Sequence, residues 1–150
     1  MSEEVEVLVE HRFRHATTEE VFEAWINPQN VRSWMNHGLA AFGLSGAIVR
    51  IEVDPRPGGA FMFSDMRGGK EMQHWGTYLT LERPSVLEFT WFTSEADERD
   101  GSSVVRIEIA PQAAGCSATL THRMPAAYAE YREQSERGWK TILASIEASR

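Results

Sequence analysis

The sequence predicts an α+β fold: a curved antiparallel sheet of about seven strands, two short helices after the first strand, and a long C-terminal helix over the concave face. Three observations lead there. Tyr128, Tyr131, Ser135, Trp139, Ile142 and Ile146 recur at steps of three or four, with Leu143 beside them, which puts an apolar stripe on a helix running to Ala148. Between Ala47 and Arg123 the chain divides into segments with strand character, separated by turn residues. Those turns are mostly too short for parallel crossovers, so neighbouring strands run antiparallel. A striped helix and a one-faced sheet each need a partner surface, and each can supply the other's.

The elements follow in order. Val5, Val7, Val9, His11 and Phe13 alternate with Glu6, Leu8, Glu10, Arg12 and Arg14, the period of a strand. Thr17-Thr18-Glu19-Glu20 is a capping box: Thr17 can accept from the Glu20 N–H, and the Glu20 carboxylate can reach back. Val21, Phe22 and Trp25 give that helix its buried side. Asn27-Pro28 starts a second helix, with Asn27 as N-cap and Pro28 at its first position, and Val31, Trp34 and Met35 form its apolar edge. From His37 to Gly46 the chain reads as a loop, with Leu39, Phe42 and Leu44 as plugs over an opening.

Strand signals then follow closely. Ile48–Val53 leads to the turn Pro57-Gly58-Gly59, and Phe61 and Phe63 share a face of the next strand, which ends at Gly68-Gly69. Glu71–Leu81 is a longer strand closed by Arg83-Pro84-Ser85, and Val86–Phe92 leads into Glu95–Asp100, read as the solvated tip of a hairpin. Val105, Ile107 and Ile109 alternate, as do Ala118, Leu120 and His122, and Pro125 separates the last strand from the long helix. On that helix Glu133–Arg137 and Glu136–Lys140 are acid-before-base pairs, worth about 0.3 kcal/mol each.

Composition narrows the function. A chain of 150 residues is expected to form one domain, 1–150. The net charge of −7 argues against a nucleic-acid partner, since phosphate binding needs clustered Lys and Arg. No run approaches eighteen apolar residues and Met1-Ser2-Glu3-Glu4 lacks the apolar core of a signal peptide, so a cytoplasmic protein with no membrane partner is expected. Cys116 is alone, which excludes an internal disulfide or a Cys-based metal site. Five Trp, seven Phe and three Tyr are many for this length, and such side chains fill a core or line a pocket.

Several motifs resemble the START-like (SRPBCC) superfamily with its helix-grip fold, and within it the AHSA-like branch, relatives of the C-terminal domain of a chaperone ATPase activator. The residues that carry the resemblance are Val21-Phe22-Glu23-Ala24-Trp25 with Asn27-Pro28 and Trp34, then Arg56-Pro57-Gly58-Gly59-Ala60-Phe61 and Gly76-Thr77-Tyr78. Pro84 with Leu87-Glu88-Phe89-Thr90-Trp91, Leu120-Thr121-His122 and Gly138-Trp139 continue it, in the right order over nearly the whole chain. Members commonly carry two adjacent Trp residues followed by Gly and Pro after the second helix, whereas Trp34 is followed here by Met35-Asn36-His37. Met repacks around different shapes, so a different cavity entrance is expected. The resemblance implies a pocket between sheet and long helix, often holding an apolar or amphipathic small molecule.

No catalytic signature stands out. Pro57-Gly58-Gly59 lacks the Lys and following helix of a phosphate loop. His11 and His15 sit at a strand end, four apart, and would not face one metal, so no metal or cofactor is implied. His74 beside Trp75 is the titratable group of most interest, able to anchor a ligand or shuttle a proton if it faces the pocket, and an ordinary structural histidine if it does not. Met72, His74 and Tyr78 share one side while Trp75, Leu79 and Leu81 share the other, and a bulge at Gly76 would exchange them. His122 reads as structural.

The predicted ligand-binding residues are Trp34, Met35 and Phe42 near one mouth, Phe61, Phe63, Phe89, Trp91 and Trp139 as inward aromatics, and His74 and Tyr78 as polar anchors. Gly138 costs its helix about 1 kcal/mol relative to Ala, and its missing side chain would leave room beside Trp139. The predicted function is binding of a small hydrophobic or amphipathic molecule, with no catalytic residue assigned. The alternatives are a cyclase- or dehydratase-type enzyme using His74 and Asp65, or a co-chaperone-like interaction module. Exposed strand edges would allow a homodimer.

Overall fold

The computed structural model describes residues 4–44, 47–100 and 103–149. Seven strands, β1 (Glu4–Phe13), β2 (Ile48–Val53), β3 (Ala60–Arg67), β4 (Lys70–Glu82), β5 (Val86–Thr90), β6 (Val104–Pro111) and β7 (Cys116–Pro125), form one sheet. Its order is β1-β7-β6-β5-β4-β3-β2, and every neighbouring pair is antiparallel. Helices α1 (Thr18–Glu23) and α2 (Pro28–Ala41) follow β1, α3 (Glu95–Asp100) lies between β5 and β6, and α4 (Arg132–Ala148) ends the described chain. This is the α+β arrangement that the patterning predicts and the helix-grip fold that the resemblance implies.

Local chemistry fixes the helix starts. Thr17 Oγ1 accepts from the Glu20 N–H at 3.1 Å, and the Thr17 N–H donates to Glu20 Oε1 at 2.9 Å, which completes the capping box. Asn27 Oδ1 accepts from the Gln29 N–H at 3.0 Å, with Pro28 in the first turn. Glu136 and Lys140 pair at 3.0 Å on the outer side of α4.

Three segments depart from the sequence reading. The second helix does not stop at His37 but runs to Ala41 and buries Leu39. His37-Gly38 looks like a helix breaker, yet a Cβ on Gly38 would stand 3.6 Å from Ser145 Oγ on α4, so the glycine sits where two packed helices meet. Tertiary packing there outweighs poor propensity. At the other end, Ala126–Tyr131 is a 3-10 segment and α4 begins at Arg132, so Tyr128 and Tyr131 do not sit on the α-helical stripe. Their spacing of three fits a 3-10 turn as well as an α-helix. Finally, Glu95–Asp100 lies in the connection of the β5–β6 hairpin and is mostly exposed, as read, but it is a short helix and not a loop. Ser94 Oγ accepts from the Asp97 N–H at 3.1 Å, while the Asp97 carboxylate accepts from the Thr93 N–H and O–H at 3.1 and 2.7 Å.

The core lies between the concave face of the sheet and the helices. Val7, Val9, Phe13, Leu87, Phe89, Val105, Ile107 and Leu120 from the strands meet Val21, Phe22 and Trp25 from α1 and its exit, Val31 and Trp34 from α2, and Leu143 and Ile146 from α4. No helix among the described residues is long and apolar enough to cross a membrane.

Candidate functional site

Strand register decides which side chains of β3 and β4 face inward. Phe61 pairs with Gly76, Phe63 with His74 and Asp65 with Met72, so His74 shares the concave side with Phe63 and Asp65. Gly76 is not a bulge. A Cβ there would stand 1.9 Å from Thr90 O, so the glycine lets strands approach closely. The irregularity falls at Leu79 instead: Tyr78 pairs with Phe89 and Thr80 with Glu88, which leaves Leu79 exposed and returns Leu81 to the side opposite Leu87. Trp75 points to the convex face, where its Nε1–H donates to Glu98 at 3.2 Å.

Between this face, α2 and α4 lies a cavity of about 700 Å³. Trp34, Met35, Leu39 and Phe42 form one wall, Phe63, Asp65, Arg67, His74 and Trp91 the second, and His122 and Met124 the third. Tyr128, Tyr131, Gln134, Gly138, Trp139 and Ile142 close it from the C-terminal segment. Of the sequence-predicted residues, Trp34, Met35, Phe42, Phe63, His74, Trp91 and Trp139 line this space. A Cβ on Gly138 would meet nothing within 4 Å, so that position borders open volume.

Phe61, Tyr78 and Phe89 stand elsewhere. With Trp25 they make a closed aromatic cluster, Phe61–Tyr78 at 5.2 Å, Phe61–Phe89 at 5.6 Å and Trp25–Phe89 at 5.7 Å between ring centres. The Tyr78 hydroxyl donates to the Trp25 carbonyl at 2.9 Å and both residues are buried, so Tyr78 is a strut of the core and not a polar anchor for a ligand. Burial pushes its pKa up.

Polar side chains share the lining with the aromatic and aliphatic ones, and several of them are already committed within the protein. The His74 ring lies stacked against Trp91, centres 5.3 Å apart, and its Nδ1 is 3.4 Å from the Phe63 carbonyl. A carbonyl only accepts, so Nδ1 carries the proton of the neutral ring and Nε2 is left as an acceptor. Burial lowers the His74 pKa, and the nearby Arg67 charge adds to this. The His74–Asp65 acid–base pair that the sequence offered is not formed. Asp65, 1% exposed, accepts instead from Arg67 Nε at 2.7 Å and Nη2 at 3.2 Å.

His122, read as structural from the sequence, also borders the cavity, which that reading left out. It is buried on the inward face of β7, in the alternation of Ala118, Leu120 and Met124, and that alternation already signalled its direction. Trp139 Nε1–H donates to His122 Nδ1 at 3.0 Å, and His122 Nε2 lies 2.7 Å from Ser103 Oγ. Indole N–H can only donate, so Nδ1 is bare and the neutral ring carries its proton on Nε2, donating to Ser103. Ser103 beside a histidine suggests a nucleophile and its base, but this tautomer has no lone pair free to take the serine proton. Burial pushes the His122 pKa down to about 4, so the ring is neutral at neutral pH.

Comparison with known proteins agrees with the fold. The family model described as "Activator of Hsp90 ATPase homolog 1-like protein" matches residues 15–149. No curated protein sequence matches the chain. The crystal structure of a Chromobacterium violaceum protein superposes with a TM-score of 0.77 at 22% identity, over 95% of this chain and 94% of the other. A Staphylococcus aureus protein of unknown function superposes at 0.77 with 20% identity, over 99% and 96% of the two chains. The solution structure of the AHSA1-like protein from Aeromonas hydrophila gives 0.76 at 20% identity, over 97% and 91%. At these identities the likeness establishes the fold.

Proposed function

The chain belongs to the family of activator of Hsp90 ATPase homolog 1-like proteins, and from that premise we propose that it binds a small hydrophobic or amphipathic molecule between α4 and the sheet. The observation that carries this reading is the space itself. A volume of about 700 Å³ lies within the usual 300–1,000 Å³ range of small-molecule sites, and its walls are mainly aromatic and aliphatic. Trp34, Met35, Phe42, Phe63, Trp91 and Trp139 would supply apolar contact, and His74 a polar one through Nε2. Met35 stands where the chain departs from the family pattern, and Phe42, on the same wall, is half-exposed. The same reading has the protein act in the cytoplasm, without a nucleic-acid or membrane partner.

The chemistry available favours binding over turnover. His122 is held by Trp139 in a tautomer that cannot deprotonate Ser103, and Asp65 is engaged by Arg67 and does not orient His74. Native mass spectrometry of the gently purified protein tests the reading. The expected result is an adduct of a few hundred daltons that disappears on denaturation, or, from a clean apo mass, thermal shifts with lipophilic compounds. A clean apo mass with no shift from any compound would overturn it and leave the family's protein-interaction reading.

A further inference from the structure

The cavity reading leaves the ligand's polar end unnamed. Resting on that reading, we propose that the site takes an amphiphile with a carboxylate head, bound by Arg67, its chain lying along Trp34, Trp91 and Trp139. Phe63, Asp65 and Arg67 alternate on β3 and so share the inward face, leading from the aromatic floor toward the Gly68-Gly69 turn. Asp65 is almost fully buried, whereas the Arg67 side chain is 35% exposed. A half-buried ion pair is a poor device for stability, because desolvation of the carboxylate and solvent screening of the guanidinium offset most of the attraction. It is a good device for holding a guanidinium still.

The hydrogen bonds show which edge of Arg67 is occupied. Nε and one N–H of Nη2 go to Asp65. Nη1, with two N–H groups, has no protein hydrogen bond among the described residues, and one N–H of Nη2 is also left over. That second edge of the fork matches a planar carboxylate through two parallel N–H···O bonds. Asp65 is thus the positioning residue, and a bound carboxylate completes a carboxylate–guanidinium–carboxylate array. The other lining carboxylate, Asp97, accepts from the Thr93 N–H and O–H. A ligand chain entering beside Arg67 meets His74 stacked on Trp91 and then Trp139, 5.0 Å from Trp91 between ring centres.

Three probes with the same twelve-carbon chain test this: dodecanoate, 1-dodecanol and dodecyltrimethylammonium, each titrated below its micelle concentration and followed by tryptophan fluorescence. Dodecanoate is expected to bind at least tenfold more tightly than dodecanol, and the cation more weakly than either. Asp65→Asn/Arg67→Gln, which keeps a neutral hydrogen-bonding pair, should weaken dodecanoate at least tenfold and move dodecanol less than twofold. Arg67→Lys keeps the charge opposite Asp65 but loses the fork, so a several-fold loss for dodecanoate is expected even if the double variant fails to fold. Equal affinity for dodecanoate and dodecanol, or preference for the cation, would overturn the head-group assignment and leave the cavity reading standing. Binding of none of the three would overturn both.

Discussion

The inner surface of the sheet carries two aromatic clusters that meet end to end and differ in what their polar atoms do. Trp25, Phe61, Tyr78 and Phe89 form the closed one: the rings pack against one another and are buried, and the Tyr78 hydroxyl is consumed by the Trp25 carbonyl. It even leaves the Trp25 indole N–H without a hydrogen-bond partner among the described residues. Trp34, Trp91, Trp139 and His74 form the open one, where rings wall a space and polar groups are held in fixed orientations along it. Residue type does not distinguish the two. What does is the surrounding space: Gly138 beside Trp139 faces open volume, while Trp25, Phe61, Tyr78 and Phe89 are all buried.

The largest expected effect breaks the closed cluster. Trp25→Ala should lower unfolding stability by about 3–5 kcal/mol, the range for removing a large buried aromatic. Trp91→Ala, on the half-buried cavity wall, should cost less than half of that while removing ligand binding. Urea denaturation of both variants makes the comparison, and equal losses would mean that the open cluster is as tightly packed as the closed one.

The second effect belongs to the open cluster and is read by pH. His122 has a folded pKa of about 4 against an ordinary 6.5, so between those values the unfolded chain binds the extra proton and the folded one does not. Stability is therefore full above about pH 6.5 and falls as pH drops toward 4, by roughly 3 kcal/mol from this residue. His74, whose pKa is also lowered, acts in the same direction. Chemical denaturation across that interval should show the loss, and His122→Gln should flatten it. An unchanged slope in the variant would mean that His122 is solvated.

These contrasts explain what was legible in the sequence. Alternation, capping signals and turn residues each report a local geometry, so β1, the caps at Thr17 and Asn27, and the antiparallel succession of strands could be read directly. Register could not. Whether Phe61 and Phe63 meet a gap or another ring depends on what α2 and α4 place opposite, and that is a long-range fact. The same limit misjudged His37-Gly38, where the contact with Ser145 on α4 keeps a helix going, and Tyr78, whose hydroxyl finds its partner 53 residues away. His122 was different. Its inward direction was visible in the β7 alternation, and only its partners, Trp139 and Ser103, were not.

A smaller effect tests the strut. Tyr78→Phe leaves the Trp25 carbonyl without its donor, and should cost about 1–2 kcal/mol while leaving ligand affinity unchanged. Isothermal titration beside a melting curve separates the two readouts. A weakened ligand at unchanged stability would return Tyr78 to the role of anchor and merge the two clusters into one site.

The smallest expected change in stability is at Gly138, and it separates space that matters for folding from space that matters for binding. Nothing lies within 4 Å of a Cβ at that position, and its backbone is helical, so Gly138→Ala should gain up to about 1 kcal/mol from helix propensity alone. Gly138→Leu should keep much of that gain, because its side chain enters volume that no protein atom occupies, and should weaken ligand binding by filling the same volume. Opposite signs for stability and affinity in one substitution are possible only where the fold leaves room that it does not need. If Gly138→Leu instead destabilised the protein as an overpacked core does, by about 1–3 kcal/mol, the space beside Trp139 would be closed in solution, and the open cluster would be a second core.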